Sequence, residues 1–146
     1  MTPANPLVVA GWQFDVPPAG WEAVPGAGLR RNEPGRFPSN VAISTDQLAG
    51  GDSLASWVEI QQTLMRTRLT EPGFEGPAPA SLAGAEEAFS VGIEHEVEGG
   101  IRVRQRQIYA RFGRWVSIVT FTTDGADVRE VEAAFESILR GLSRIG

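Results

Sequence analysis

The sequence predicts one α+β domain: an antiparallel sheet of about five to six strands carrying two main helices. Three observations point there. The hydrophobic pattern alternates between a period of two and a period of about 3.6 residues. Only two stretches, Asp52 to about Leu69 and about Ala126 to Leu142, sustain the helical period. Two tight turns, Glu98-Gly99-Gly100 and Gly113-Arg114, join three alternating runs into a meander. The length of 146 residues fits a single domain over 1–146, with enough chain to bury roughly two-thirds of its unfolded surface.

The elements follow in order. Trp12, Phe14 and Val16 alternate with Gln13 and Asp15, a strand signal stopped by Pro17-Pro18-Ala19-Gly20. The Gly/Pro-rich stretch from Trp21 to Pro38 reads as mostly loop. Asn40-Val41-Ala42-Ile43-Ser44 is a short strand, and Asp46 to Asp52 a loop. Asp52 or Ser53 can cap the first helix by accepting from orphan backbone N–H groups. Leu54, Trp57, Val58, Leu64 and Met65 form its apolar stripe, with Gln61 close by. Pro72-Gly73 ends it, and Phe74 to Pro79 reads as another loop.

Leu82-Ala83-Gly84-Ala85 and Glu86 to Val97 form one broken or continuous strand. Ile101 to Phe112 returns, and Trp115 to Thr123 follows the Gly113-Arg114 turn. Gly at the first central position suits a type II′ hairpin. In the last helix Val128, Val131, Phe135, Ile138, Leu139 and Leu142 face inward. No repeat, low-complexity tail or domain linker is visible.

The turns also fix a register for the meander. Glu96 falls opposite Arg102, Glu94 opposite Arg104, Phe112 opposite Trp115, and Ile108 opposite Val119. Facing opposite charges contribute about 0.2–1 kcal/mol each. One sheet face then carries Glu94, Glu96, Arg102, Arg104 and Arg106, grading into Ile108, Ala110, Phe112, Val119 and Phe121. The other face carries Phe89, Val91, Ile93, His95, Val103, Gln105, Gln107 and Tyr109, with Val116, Ile118, Thr120 and Thr122.

Composition removes several classes of function. Thirteen basic residues, all Arg, against eighteen acidic ones give a net charge of −5. That balance argues against a general nucleic-acid binder, which needs a basic face to release counterions. With no cysteine, disulfides, thiolate catalysis and zinc–sulfur or iron–sulfur sites are absent. The N-terminus has no basic segment followed by an apolar run, so it does not read as a secretory signal. No stretch approaches the ~20 apolar residues that span a bilayer. A cytoplasmic protein without stable membrane insertion is expected.

Chemistry-bearing residues are sparse. His95 is the single histidine and is read as a structural or surface residue, since catalysis would need supporting groups that the spacing does not supply. Glu86 and Glu87 point to opposite strand faces, and Glu94 and Glu96 already face arginines. Neither Gly50-Gly51 nor Gly99-Gly100 has the phosphate-loop spacing, and there is no lysine for one. No catalytic residue, metal site or cofactor is expected. Gln105 and Gln107 are more informative, because they sit on a face otherwise built from Val, Ile, Phe and Tyr. Two readings stay open: that end of the face is simply exposed, or it is a ligand-facing apolar surface with a few polar anchors.

Several short motifs, taken together, resemble one family. They are Phe-x-Val-Pro-x-x-Gly-Trp (Phe14 to Trp21), Asn-Val-x-Ile-Ser (Asn40 to Ser44), a Ser-Leu-x-x-Trp-Val helix start (Ser53 to Val58) and Gly-x-x-Glu (Gly84 to Glu87). Arg-Gln-Arg-Gln-Ile (Arg104 to Ile108), Gly-Arg-x-Val-x-x-Val-Thr (Gly113 to Thr120) and Phe-x-x-Ile-Leu-x-x-Leu (Phe135 to Leu142) complete the set. The set resembles the Mog1/PsbP-like fold family shared with the lipoprotein DcrB, and most resembles the Eag-type chaperones of type VI secretion. The stretch between Trp21 and Pro38 is longer than that pattern. The resemblance implies a non-enzymatic chaperone, commonly a homodimer, that binds the N-terminal transmembrane helices of a secreted effector before export. It assigns Val41, Ile43, Val91, Ile93, Val103, Gln105, Gln107 and Ile118, with Gln61 at the margin, to a concave apolar binding surface. The alternative is a general protein- or lipid-binding module of this fold with no secretion role.

Overall fold

A computed structural model describes residues 7–9, 12–14, 21–24, 28–31, 39–124 and 128–144. The strand end at Val16, the Pro17–Gly20 stop, the 32–38 part of the expected loop and a helix start at Ala126 lie outside the described residues. The architecture is α+β, as expected. Its frame is five antiparallel strands: β5 (Asn40–Gln47), β9 (Trp115–Thr123), β8 (Ile101–Phe112), β7 (Glu87–Val97) and β6 (Thr70–Pro79), side by side in that order. The short hairpin β3 (Trp21–Val24) and β4 (Gly28–Arg31) extends the β5 edge to seven strands. A separate small sheet joins β1 (Leu7–Val9), β2 (Trp12–Phe14) and β10 (Leu142–Arg144). Helix α1 (Leu54–Arg68) and helix α2 (Val128–Arg140) cover opposite faces of the large sheet.

The meander register matches the turn-based expectation. Glu96 pairs with Arg102 and Glu94 with Arg104, while Ile108 pairs with Val119 and Phe112 with Trp115. Period-two alternation therefore divides these strands between two cores. On the α2 side Ile108, Ala110, Val119 and Phe121 pack with Val131, Phe135 and Ile138. On the α1 side Val91, Ile93, Tyr109 and Val116 pack with Leu54, Trp57 and Val58.

Two stretches read as loop are strands. β3 and β4 lie within the Gly/Pro-rich segment, where Leu29 is fully buried and Trp21 meets Phe135 edge-on at 6.0 Å. β6 contains Pro72, Pro77 and Pro79, a composition that the middle of a sheet would exclude. It is tolerated here because β6 is an edge strand, paired with β7 alone. Its register shifts between Thr70 and Gly73 and again between Glu75 and Ala78. At the second irregularity Gly76 has φ +91°, and a Cβ there would sit 2.8 Å from the Ser90 carbonyl oxygen.

Ser53 caps α1, its hydroxyl accepting from the Ser56 N–H at 3.1 Å. The buried stripe differs from the expected one at two positions: Gln62 is buried and Leu64 is 39% exposed. Leu142, expected on the last helix, is buried in β10, because α2 ends at Arg140 and the chain turns back to pair with β2.

Candidate functional site

The residues assigned to an apolar binding surface do not form one. Val91 (0% exposed), Ile93 (2%) and Val103 (1%) are buried, the first two directly in the α1-side core. The physical reason is that α1 must bury its own apolar stripe and finds it complemented there. Val41 and Ile43 lie on the opposite face: they pair with Phe121 and Val119 and pack in the α2-side core. Ile118 is half-buried against the α1-side core, and Gln61 is half-buried on α1. The amide that α1 does bury belongs to Gln62, whose Nε2 donates to the Gly76 carbonyl at 3.5 Å.

Gln105 and Gln107 are half-buried and bonded within the sheet. Gln105 Nε2 donates to Thr122 Oγ1 at 3.2 Å, and Gln107 Nε2 to Thr120 Oγ1 at 3.5 Å. The Tyr109 hydroxyl donates to Gln107 Oε1. Burial pushes the Tyr109 phenol well above its ordinary pKa. His95 is buried, its Nε2 finds no hydrogen-bond partner among the described residues, and its Nδ1 lies 3.4 Å from the Glu96 carbonyl.

A concave site lies on the other face. Helix α2 packs over β9 and the Ile108–Ala110 part of β8, and a concavity opens between it and β6 over Arg104–Arg106 of β8 and Ser90 to Glu94 of β7. The result is a groove of about 520 Å³. Ser90 and Gly92 make its floor, and Glu132 and Phe135 of α2 one wall. Glu75, Gly76 and Ala78 of the irregular β6 make the other wall, with Arg104 and Thr123 at one end. The floor is deep because Gly92 has no side chain, and a Cβ there would already lie 3.4 Å from that of Glu75. Sequence reading missed this site because its outer wall is the proline-rich strand taken for a loop.

The groove's charges are mostly internally matched. Arg104 Nε lies 3.1 Å from Glu94 Oε1, and Arg102 Nε reaches the other oxygen of the same carboxylate at 3.7 Å. Arg106 bridges from the sheet to α2: its Nε donates to Ser90 Oγ at 3.2 Å, and its NH1 donates to Glu136. Among the described residues Glu75 and Glu132 make no ion pair. The groove thus offers guanidinium N–H donors, carboxylate acceptors, a Phe135 ring and strand backbone within one span. Tyr109 lies on the far side of the sheet, 5.5 Å from the Trp57 ring, and so shares no pocket with these carboxylates. Among the described residues no cluster of three His, Cys, Asp or Glu side chains could hold a metal ion. No helix among them is long and apolar enough to cross a membrane.

Comparison with protein-family models finds no match, and neither does comparison with curated proteins. Solved structures do match over nearly the whole chain. LpqN of Mycobacterium tuberculosis, described as involved in cell envelope biogenesis, superposes with TM-score 0.72 at 15% identity, covering 97% of this chain and 90% of that one. PA94 of Pseudomonas aeruginosa, a protein of unknown function, gives 0.71 at 18% identity, covering 97% of both chains. The cyanobacterial PsbP of Synechocystis gives 0.64 at 11% identity, covering 92% and 87%. The fold is PsbP-like. At these identities the likeness carries the PsbP-like frame alone, and function has to be argued from the groove and the sheet faces.

Proposed function

We propose that this PsbP-like chain is a non-enzymatic binding module that holds a segment of a partner protein in the groove between α2 and β6–β8. One observation supports it above the others: α2 and the irregular β6 stand apart across β7 and β8 and leave a concavity floored by Gly92. Its volume falls within the roughly 300–1,000 Å³ of ordinary ligand sites. Matched donors and acceptors beside an aromatic ring suit a polypeptide segment, which brings both kinds of polar group with it.

A photo-crosslinking residue at Ala78, on the groove wall, tests this against the same residue at Gln47, exposed on β5. A protein captured from Ala78 alone supports the groove. Equal capture from both positions, or none, removes it. A lipid carried through native mass spectrometry, with no protein captured, would give the groove to the lipid-binding alternative.

The second reading is the cytoplasmic chaperone of a secreted effector's transmembrane helices, favoured by Gln105 and Gln107 alone. With Thr120 and Ile118 they are only half-buried, and amides can satisfy the polar backbone exposed where small residues line a membrane helix. Co-expression with an apolar helical hairpin separates the readings. If the hairpin stays soluble with the native chain and precipitates with Gln105→Ala/Gln107→Ala, the chaperone reading gains. Unchanged solubility ends it.

A further inference from the structure

The charges lining the groove beside α2 do not all find partners. Among the described lining residues both guanidiniums are engaged by carboxylates, Arg104 by Glu94 at 3.1 Å and Arg106 by Glu136. Two lining carboxylates, Glu75 and Glu132, have no ion pair among the described residues. They stand on opposite walls. Glu75 pairs in register with Gly92, and Gly92 with Arg106, so the bare glycine floor separates the Glu75 carboxylate from that guanidinium. The carboxylate leans in over this floor: a Cβ built at Gly92 would lie 3.6 Å from Glu75 Oε2. Glu132 precedes Glu136 by four residues, which puts the two on one flank of α2. Glu136 reaches Arg106 on the sheet, so Glu132 faces the same groove one turn earlier.

A segment seated here takes water away from both carboxylates. Desolvating a carboxylate without a counter-charge is costly, and an acidic or wholly apolar segment supplies none. The groove's own arginines cannot turn to Glu75 or Glu132 without abandoning Glu94 and Glu136. A cationic side chain answers both carboxylates at once. Its methylene stem also has somewhere to lie, since Gly73, Gly76 and Gly92 present bare backbone to the groove.

We propose that the segment held in the groove places a lysine or arginine side chain between Glu75 and Glu132. The inference rests on the groove reading above and adds to it the charge that the occupant must carry.

Short random peptides displayed on phage, selected on the full chain and counter-selected on Ala78→Trp, test it. Ala78 is exposed on the groove wall, and a bulky side chain there obstructs the groove. Peptides that bind the full chain and not Ala78→Trp should share a basic position. For the tightest of them, Glu75→Gln/Glu132→Gln should weaken binding at least tenfold in calorimetric titration. Norleucine in place of the peptide's basic residue should cost as much against the native chain and next to nothing against the double variant. Glu75→Arg/Glu132→Arg should turn the selection towards acidic peptides, a result that loss of the fold would not give. Groove-dependent peptides without a basic position overturn the proposal and leave the groove reading standing. Basic peptides indifferent to Glu75→Gln/Glu132→Gln also overturn it, since a chain of net charge −5 attracts them everywhere. Spermine held at the groove more tightly than any peptide overturns it in favour of a free polycation. The lack of any groove-dependent peptide removes this proposal and the groove reading together.

Discussion

The Tyr109 hydroxyl donates its hydrogen bond to the Gln107 amide oxygen, two residues back along β8. The ring sits in the α1-side core, 1% exposed, with Trp57 edge-on above it. Desolvation favours the neutral phenol, so its pKa in the folded chain lies above the ordinary value. A group raised in this way contributes stability that is complete below the unfolded pKa and is lost as pH rises past it. Tyr109 should therefore cost the fold stability from about pH 10 upward. It is the single tyrosine in the chain, so phenolate absorbance reports it alone. The phenolate should appear only together with the change in tryptophan fluorescence that marks unfolding. Tyr109→Phe should move alkaline unfolding to higher pH. Titration at an ordinary phenol pH in a folded chain would contradict the burial.

Gly76 sets the shape of β6. Its φ of +91° and the 2.8 Å approach of a built Cβ to the Ser90 carbonyl leave no room for a side chain. Gly76→Ala should destabilise the fold by about 1–3 kcal/mol, read as a lower denaturant midpoint at unchanged slope. At Gly92 the three atoms nearest a Cβ all belong to Glu75, the closest at 3.4 Å, so Gly92→Ala should cost less. An equal loss at both positions would mean that the strand irregularity at Gly76 is not what the sequence requires.

Much of the frame was legible because it is local. The turns at Gly99-Gly100 and Gly113-Arg114 count off the register of β7, β8 and β9, so Glu94–Arg104 and Ile108–Val119 could be read before any coordinates. β6 was not legible. Its prolines and glycines signal turns everywhere except on an edge strand, and edge position is a property of the whole sheet. The binding surface failed for a related reason. Alternation shows that Val91 and Ile93 share a face, but which helix covers that face depends on how the chain crosses over. Nor could Val41 and Ile43 be placed on the α2 side without knowing that β5 pairs with β9. The groove follows from how α2 and β6 stand apart, which no pattern in β7 or β8 records.

Arg106 and Glu136 tie α2 to the sheet at the groove's edge. Their side chains are 30% and 43% exposed, so solvent screens the pair. A double-mutant cycle with Arg106→Ala and Glu136→Ala should return a coupling of about 0.5–1 kcal/mol that shrinks with added salt. Arg106→Ala alone should cost more than Glu136→Ala alone, because it also deprives Ser90 Oγ of its donor. No coupling in low salt would show that α2 is held by Val131, Phe135 and Ile138 without this pair.

Val103 and Gln105 lie on one face of β8, two residues apart, and they are not equivalent probes of that face. Val103 is 1% exposed, so Val103→Asp places a carboxylate where apolar packing has excluded water. It should cost more than ~4 kcal/mol and leave little folded protein. Gln105 is half-buried, and its amide loses one bond, to Thr122. Gln105→Ala should cost only about 0.5–1.5 kcal/mol, measured by denaturant unfolding. A loss of helix binding by Val103→Asp would therefore report unfolding, whereas the same loss by Gln105→Ala at near-native stability would report contact. If Val103→Asp instead folds with an unchanged midpoint, water reaches this end of the face, and the surface beside α1 is more open than the packing around Val91 and Ile93 implies.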